Sequence, residues 1–177
     1  PLAGGPLRAL IVNDSLTGRE TVELAQRLDL DYDAPFISTA YAIGRGTQMF
    51  GAEVSVDWAL DNLRGLLEEN TYDVILMGGL SGELYPEDVV GMILDQVRGG
   101  AGLVWVNPND CSDALWDVLP LGPMEGGSRP EQVWEAAEHH YVTAGIPWEA
   151  LPPTQMSRYT DADGAQVLAR AGKYPLV

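Results

Sequence analysis

The chain predicts an α/β protein built on an open, mostly parallel sheet, with helices on both faces and a strand pair at its C-terminal end. Three observations carry this. "LRALIVND" (7–14), "TYDVILMGG" (71–79) and "AGLVWVNP" (101–108) are short runs rich in branched apolar residues. They are apolar on consecutive positions rather than alternate ones, which is what a parallel strand covered on both faces requires. Segments of helical periodicity lie between them, so strand and helix alternate.

The elements follow in order. After the first strand, "SLTGRETVELAQRL" places Val22, Leu24, Ala25 and Leu28 near helical spacing. "APFIST" offers a second strand and "GRGTQMFG" a glycine-rich loop. "EVSVDWALDNLRGLLEEN" sets Val56, Leu60, Leu63 and Leu67 on one helical stripe leading into the strand at 71–79. Pro86 suits a first helical position, with Glu87 and Asp88 in the first turn. Val89, Ile93 and Val97 then continue one face until Gly99 and Gly100 end it. Beyond Pro108 the chain is richer in proline and glycine and reads as irregular, with a short helix or strand near Gln132–His139. "GAQVLARAGKYPLV" reads as the closing strand pair, turning at "AGK".

With 177 residues, 46% of them hydrophobic, the chain can bury a stable core, and a single domain over 1–177 is the expectation. It begins at Pro1 and ends inside an apolar run, which reads as part of a longer protein. The formal charge is −16, and Lys173 stands alone among nine arginines. That balance argues against a nucleic-acid partner, which needs clustered basic residues. No apolar run approaches the roughly 18 residues of a membrane span, and no basic leader opens the chain. One cysteine forms no internal disulfide, so a cytoplasmic location is the default, with export of the parent protein left open.

In open α/β sheets ligands gather beyond the carboxyl ends of the strands. Three segments end there: Asn13–Asp14–Ser15, the "GGLSG" run Gly78–Gly82, and Asn107 to Cys111. The candidate ligand-binding residues are therefore Asn13, Asp14, Gly78, Gly79, Ser81, Asn107 and Asn109. "GGLSG" could offer backbone N–H groups to an anion, yet it is neither a dinucleotide fingerprint nor a P-loop, and Glu83, Glu87 and Asp88 would repel phosphate. A structural turn is the competing reading. No motif calls for a cofactor.

Cys111 is the one nucleophile candidate, with His139 or His140 as base and Glu138 or Glu149 as an orienting acid. Asp110 and Asp113 flank the thiol, and negative charge disfavours a thiolate. The competing reading is a small, inert apolar residue. "DLDYD" (29–33) starts like a calcium loop, but Ala34 and Ala40 stand where its glycine and glutamate belong. The adjacent histidines of "EHH" diverge on any regular element, so no metal site is expected. The five tryptophans form no stripe with basic residues and read as packing.

From Tyr72 onward the order of features resembles the class I glutamine amidotransferase-like superfamily, and most of all its glutamine amidotransferase-like and trehalose-utilisation-like domains. The residues that carry this are "YDVILMGG", "YPEDVVGMILDQVRGGAGLVWV" and "WDVLPL". After these come "HHYVTAGIP", similar to "HPVTxGLP", and "GAQVLARAGKYPLV", similar to "GAxVLAxxxGxPLLV". The resemblance spans about 105 residues and implies a flavodoxin-like fold. Active members of the superfamily hold a cysteine in a G-x-C-x-G elbow directly after a strand. Here Asn107–Pro108 occupies that place, Cys111 comes later without flanking glycines, and Tyr141 replaces the proline after His140. With these departures the resemblance implies a catalytically degenerate domain. It would bind a small-molecule ligand or other domains of a larger, carbohydrate-related protein, as a monomer or an oligomer. The alternative is an amidotransferase or hydrolase that uses Cys111 with His139 or His140.

Overall fold

The computed structural model of the protein describes residues 5–12, 18–37, 47–49, 52–54, 56–78, 80–106, 108, 110–124, 134–152, 159–161 and 164–175. The chain divides into two compact units, Pro1–Leu115 and Trp116–Val177.

The first unit runs β1 (Leu7–Val12), α1 (Gly18–Arg27), β2 (Leu30–Asp33), β3 (Thr47–Met49), β4 (Ala52–Val54), α2 (Val56–Glu69), β5 (Val74–Gly78), α3 (Glu87–Arg98) and β6 (Gly102–Val106). Its main sheet is four-stranded in the order β2-β1-β5-β6, and all three pairings are parallel. β3 and β4 form a separate antiparallel pair. The apolar runs at 7–14, 71–79 and 101–108 supply β1, β5 and β6, and the two helical stripes supply α2 and α3.

Leu10, Val12, Ile75 and Met77 share one core with Leu60, Leu63 and Leu67 of α2 and Val89, Val90, Ile93 and Leu94 of α3. Ala9 and Ile11 are equally buried yet stand outside that cluster, because side chains alternate across a strand. The crossover from β1 to β2 runs opposite in direction to that from β5 to β6, and Ala9 and Ile11 lie on the second face of the sheet. That second face is only partly covered. Val104 and Val106 of β6 are 47% and 63% exposed, and exposure alternates along the strand. An apolar run on an edge strand thus reads like one buried on both faces, and the expected double cover does not extend to β6.

The second strand is not at "APFIST" but at "LDYD", where Leu30–Asp33 pairs with Leu7–Leu10. Of the expected segment, Ile37 is a fully buried part of the core, and Ser38 and Thr39 lie outside the described residues. β2 hides from a search for apolar runs because two of its four residues are aspartates. Arg8 of β1 pairs with both: its guanidinium donates to Asp31 Oδ1 at 3.0 Å and also to Asp33 Oδ2. The same Arg8 donates to Asn70 Oδ1 and lies 5.3 Å from the centre of the Tyr72 ring, while the Tyr72 hydroxyl donates to Asp33 at 2.8 Å. The "DLDYD" run is therefore an edge strand held by one arginine.

The second unit contains β7 (Leu121–Met124), β8 (Trp134–Ala136), β9 (Tyr159–Asp161), β10 (Ala169–Ala171) and β11 (Tyr174–Pro175). α4 (Asp113–Trp116) spans the boundary. β7 pairs antiparallel with β9, and β11-β10-β8 form an antiparallel sheet. The closing strand pair lies at "ARAGKYP" as expected, with Gly172 at φ 61° in its turn. Such a left-handed position suits a residue without a Cβ. The ambiguous element near Gln132–His139 is the three-residue strand β8. Among the described residues no helix is long and apolar enough to cross a membrane.

Candidate functional site

The carboxyl edge of the parallel sheet is where the sequence places its candidates. β1 turns one way to β2 and β5 the other way to β6, so the ends of these two neighbours form the switch point at which such sheets bind ligands. Asn13, Asp14, Gly79, Asn107 and Asn109 fall outside the described residues. Gly78, Ser81 and Cys111 fall within them.

Gly78 ends β5 and is buried, and a Cβ there would meet Val106 Cβ at an ordinary 3.6 Å. Leu80 turns into the core and is 2% exposed. Ser81 then opens a one-turn 3-10 helix, Gly82–Leu84. Gly82 is where this loop meets the one after β6. A Cβ on it would come within 2.6 Å of Cys111 Cα and 2.8 Å of the Asp110 carbonyl oxygen, far inside contact distance. The Ser81 hydroxyl reaches Asp110 Oδ2 at 3.4 Å across the same junction. Two loops are thereby locked together by a missing side chain, and that need explains the last glycine of "GGLSG" better than anion binding does.

Asp110 carries the left-handed backbone of this junction, at φ 47°. Aspartate is among the few residues that tolerate that region. Nothing in the sequence around "NPNDCS" announces it. Cys111 follows, half-buried, with its side chain packed against the core formed by α2, α3 and the sheet. Burial, and secondarily the negative charge of Asp110, push its thiol up to about 11.

His139, His140 and Glu149 belong to the second unit, whereas Cys111 belongs to the first. His140 has its own local task. Its Nδ1 accepts the Val142 backbone N–H at 3.2 Å, so the proton of the neutral ring sits on Nε2 and the basic lone pair is occupied. Its carbonyl accepts both the backbone N–H and the hydroxyl of buried Thr143, at 3.1 and 3.2 Å, closing a tight turn. The ring packs on Tyr141 with centroids 4.4 Å apart. Glu138 accepts from Gln166 at 2.9 Å, and Glu149 lies exposed in a 3-10 turn, Trp148–Ala150. No group of three or more His, Cys, Asp or Glu among the described residues could hold a metal ion.

Compared with models of known protein families and with curated proteins, the chain finds no match.

Proposed function

We propose that the chain is a glutamine amidotransferase-like domain without thiol chemistry, acting as a ligand-binding or assembly module within a larger protein. The four-stranded parallel sheet is compatible with the flavodoxin-like fold that this kinship implies. One observation carries the reading. The only sulfur nucleophile is half-buried against the core beside a carboxylate, with its thiol pushed up to about 11. A thiol so raised stays protonated at neutral pH, and the thiolate is the attacking form. A working nucleophile needs the opposite surroundings: a cationic partner or a helix N-terminus.

The competing reading, a hydrolase or amidotransferase using Cys111, draws support from the left-handed backbone of Asp110 directly before the cysteine. Strained turns are where such folds present nucleophiles. Burial and the flanking charge oppose it. The test is exposure of the chain to a chloroketone analogue of glutamine at pH 7.5, with glutamine hydrolysis measured in parallel on Cys111→Ser. No covalent adduct, and equal background hydrolysis by both proteins, is the expected result. An adduct at Cys111, or hydrolysis that vanishes in the serine variant, overturns the proposal.

A further inference from the structure

The turn that begins at His140 has a titratable ring as part of its own hydrogen bonding. His140 Nδ1 accepts the Val142 backbone N–H at 3.2 Å, two residues on, as an asparagine or aspartate side chain does in an Asx turn. The carbonyl of the same residue takes the Thr143 N–H and hydroxyl, and the Thr143 carbonyl takes the Ile146 N–H at 3.4 Å. Thr143 is buried, whereas Tyr141, 84% exposed, and Val142 stand in solvent. Among the described residues the Val142 N–H has no second acceptor.

A neutral imidazole offers one lone pair and an imidazolium offers none, because both nitrogens then donate. Protonation of His140 therefore sets one N–H against another, and the bond to Val142 is lost. The charged and titratable side chains on the surrounding elements are Glu138 and His139 before the turn, Glu135 on β8, Arg170 opposite it on β10, and Glu149 in the 3-10 turn. The Tyr141 phenol lies against the ring itself. Glu138 is engaged by Gln166, and no carboxylate among the described residues comes within ion-pair distance of the His140 ring. A proton on His140 thus breaks one bond of the turn and forms no ion pair in exchange.

We propose that His140 is a proton-operated latch: with its ring neutral it fixes the turn that presents Tyr141 and Val142, and with its ring protonated it releases that turn. Acidification from pH 8 to pH 5, the range in which histidine serves as a switch, is the trigger. The latch is independent of the reading of Cys111, since no residue of the first unit takes part in it.

The test is amide hydrogen exchange of Val142 in the intact chain at pH 8 and pH 5, each rate divided by that of an unstructured peptide of the same sequence at the same pH. Val142 should be roughly 5-fold less protected at pH 5, the worth of one ordinary hydrogen bond. His140→Asn supplies an acceptor that does not titrate and should remove the pH dependence, whereas His139→Asn should leave it as in the parent. The imidazole nitrogen shifts of the parent at pH 8 give a check that needs no variant: Nδ1 of His140 should be the bare nitrogen and Nε2 the protonated one. Equal protection of Val142 at both pH values in the parent, a pH dependence that survives in His140→Asn or vanishes in His139→Asn, or a proton on Nδ1 at pH 8 overturns the proposal.

Discussion

Gly82 and Cys111 are in backbone contact: a single methyl group on Gly82 would sit 2.6 Å from Cys111 Cα. The obstacle is main chain, so no side-chain rotation relieves it. Gly82→Ala is expected to destabilise the protein by about 1–3 kcal/mol, the ordinary range for overpacking. Gly91→Ala, inside α3 with nothing within 4 Å of its added Cβ, should instead stabilise by about 0.5–1 kcal/mol. Urea denaturation of the two variants beside the parent checks both signs at once.

Arg8 is the residue on which β2 depends. Replacing it with leucine leaves Asp31 and Asp33 side by side on a strand without their shared cation, at an expected cost of about 2 kcal/mol or more. Tyr72→Phe removes only the hydroxyl that donates to Asp33 and should cost about 1 kcal/mol. Equal midpoints for Arg8→Leu and the parent would show that the aspartates do not need the arginine.

The alkaline side of the stability curve follows from the same groups. Tyr72 is raised above the ordinary tyrosine value by burial, then by its hydrogen bond to Asp33 and the charge of that carboxylate. Cys111 is pushed up to about 11. In both cases the native state keeps a proton that the unfolded chain releases. Their contribution is fully present below the unfolded values and is lost as pH rises through the native ones. Denaturation midpoints should hold steady to about pH 8 and fall between pH 9 and 11, and the fall should be shallower in Cys111→Ala.

The partly bare face of the sheet makes a prediction of the opposite kind. Val104 and Val106 bury little, so Val104→Thr and Val106→Thr should each change stability by less than about 0.5 kcal/mol. Losses of about 1 kcal/mol or more, measured by thermal melting, would mean that the face is covered in solution.

How much of this was legible depended on whether side chains advertise their partners. β1, β5 and β6 were visible because their partners are other apolar groups, and Leu60, Leu63 and Leu67 showed the buried stripe of α2 directly. β2 was not, because the partner of its aspartates is Arg8, 23 and 25 positions away. β3 and β4 were hidden in a glycine-rich stretch, three residues each being too short for any period to show. At the carboxyl edge the sequence named Cys111 and Ser81. It could not show that Asp110 takes a left-handed backbone, or that Gly82 rests on the cysteine, because both are consequences of two loops meeting.

The rate of Cys111 carboxamidomethylation by iodoacetamide as a function of pH measures the ionisation of this one sulfur directly. The rate should rise with an apparent pKa near 11, with negligible modification at pH 7. An inflection below about pH 8 would show a thiolate stabilised by its surroundings and would contradict the account.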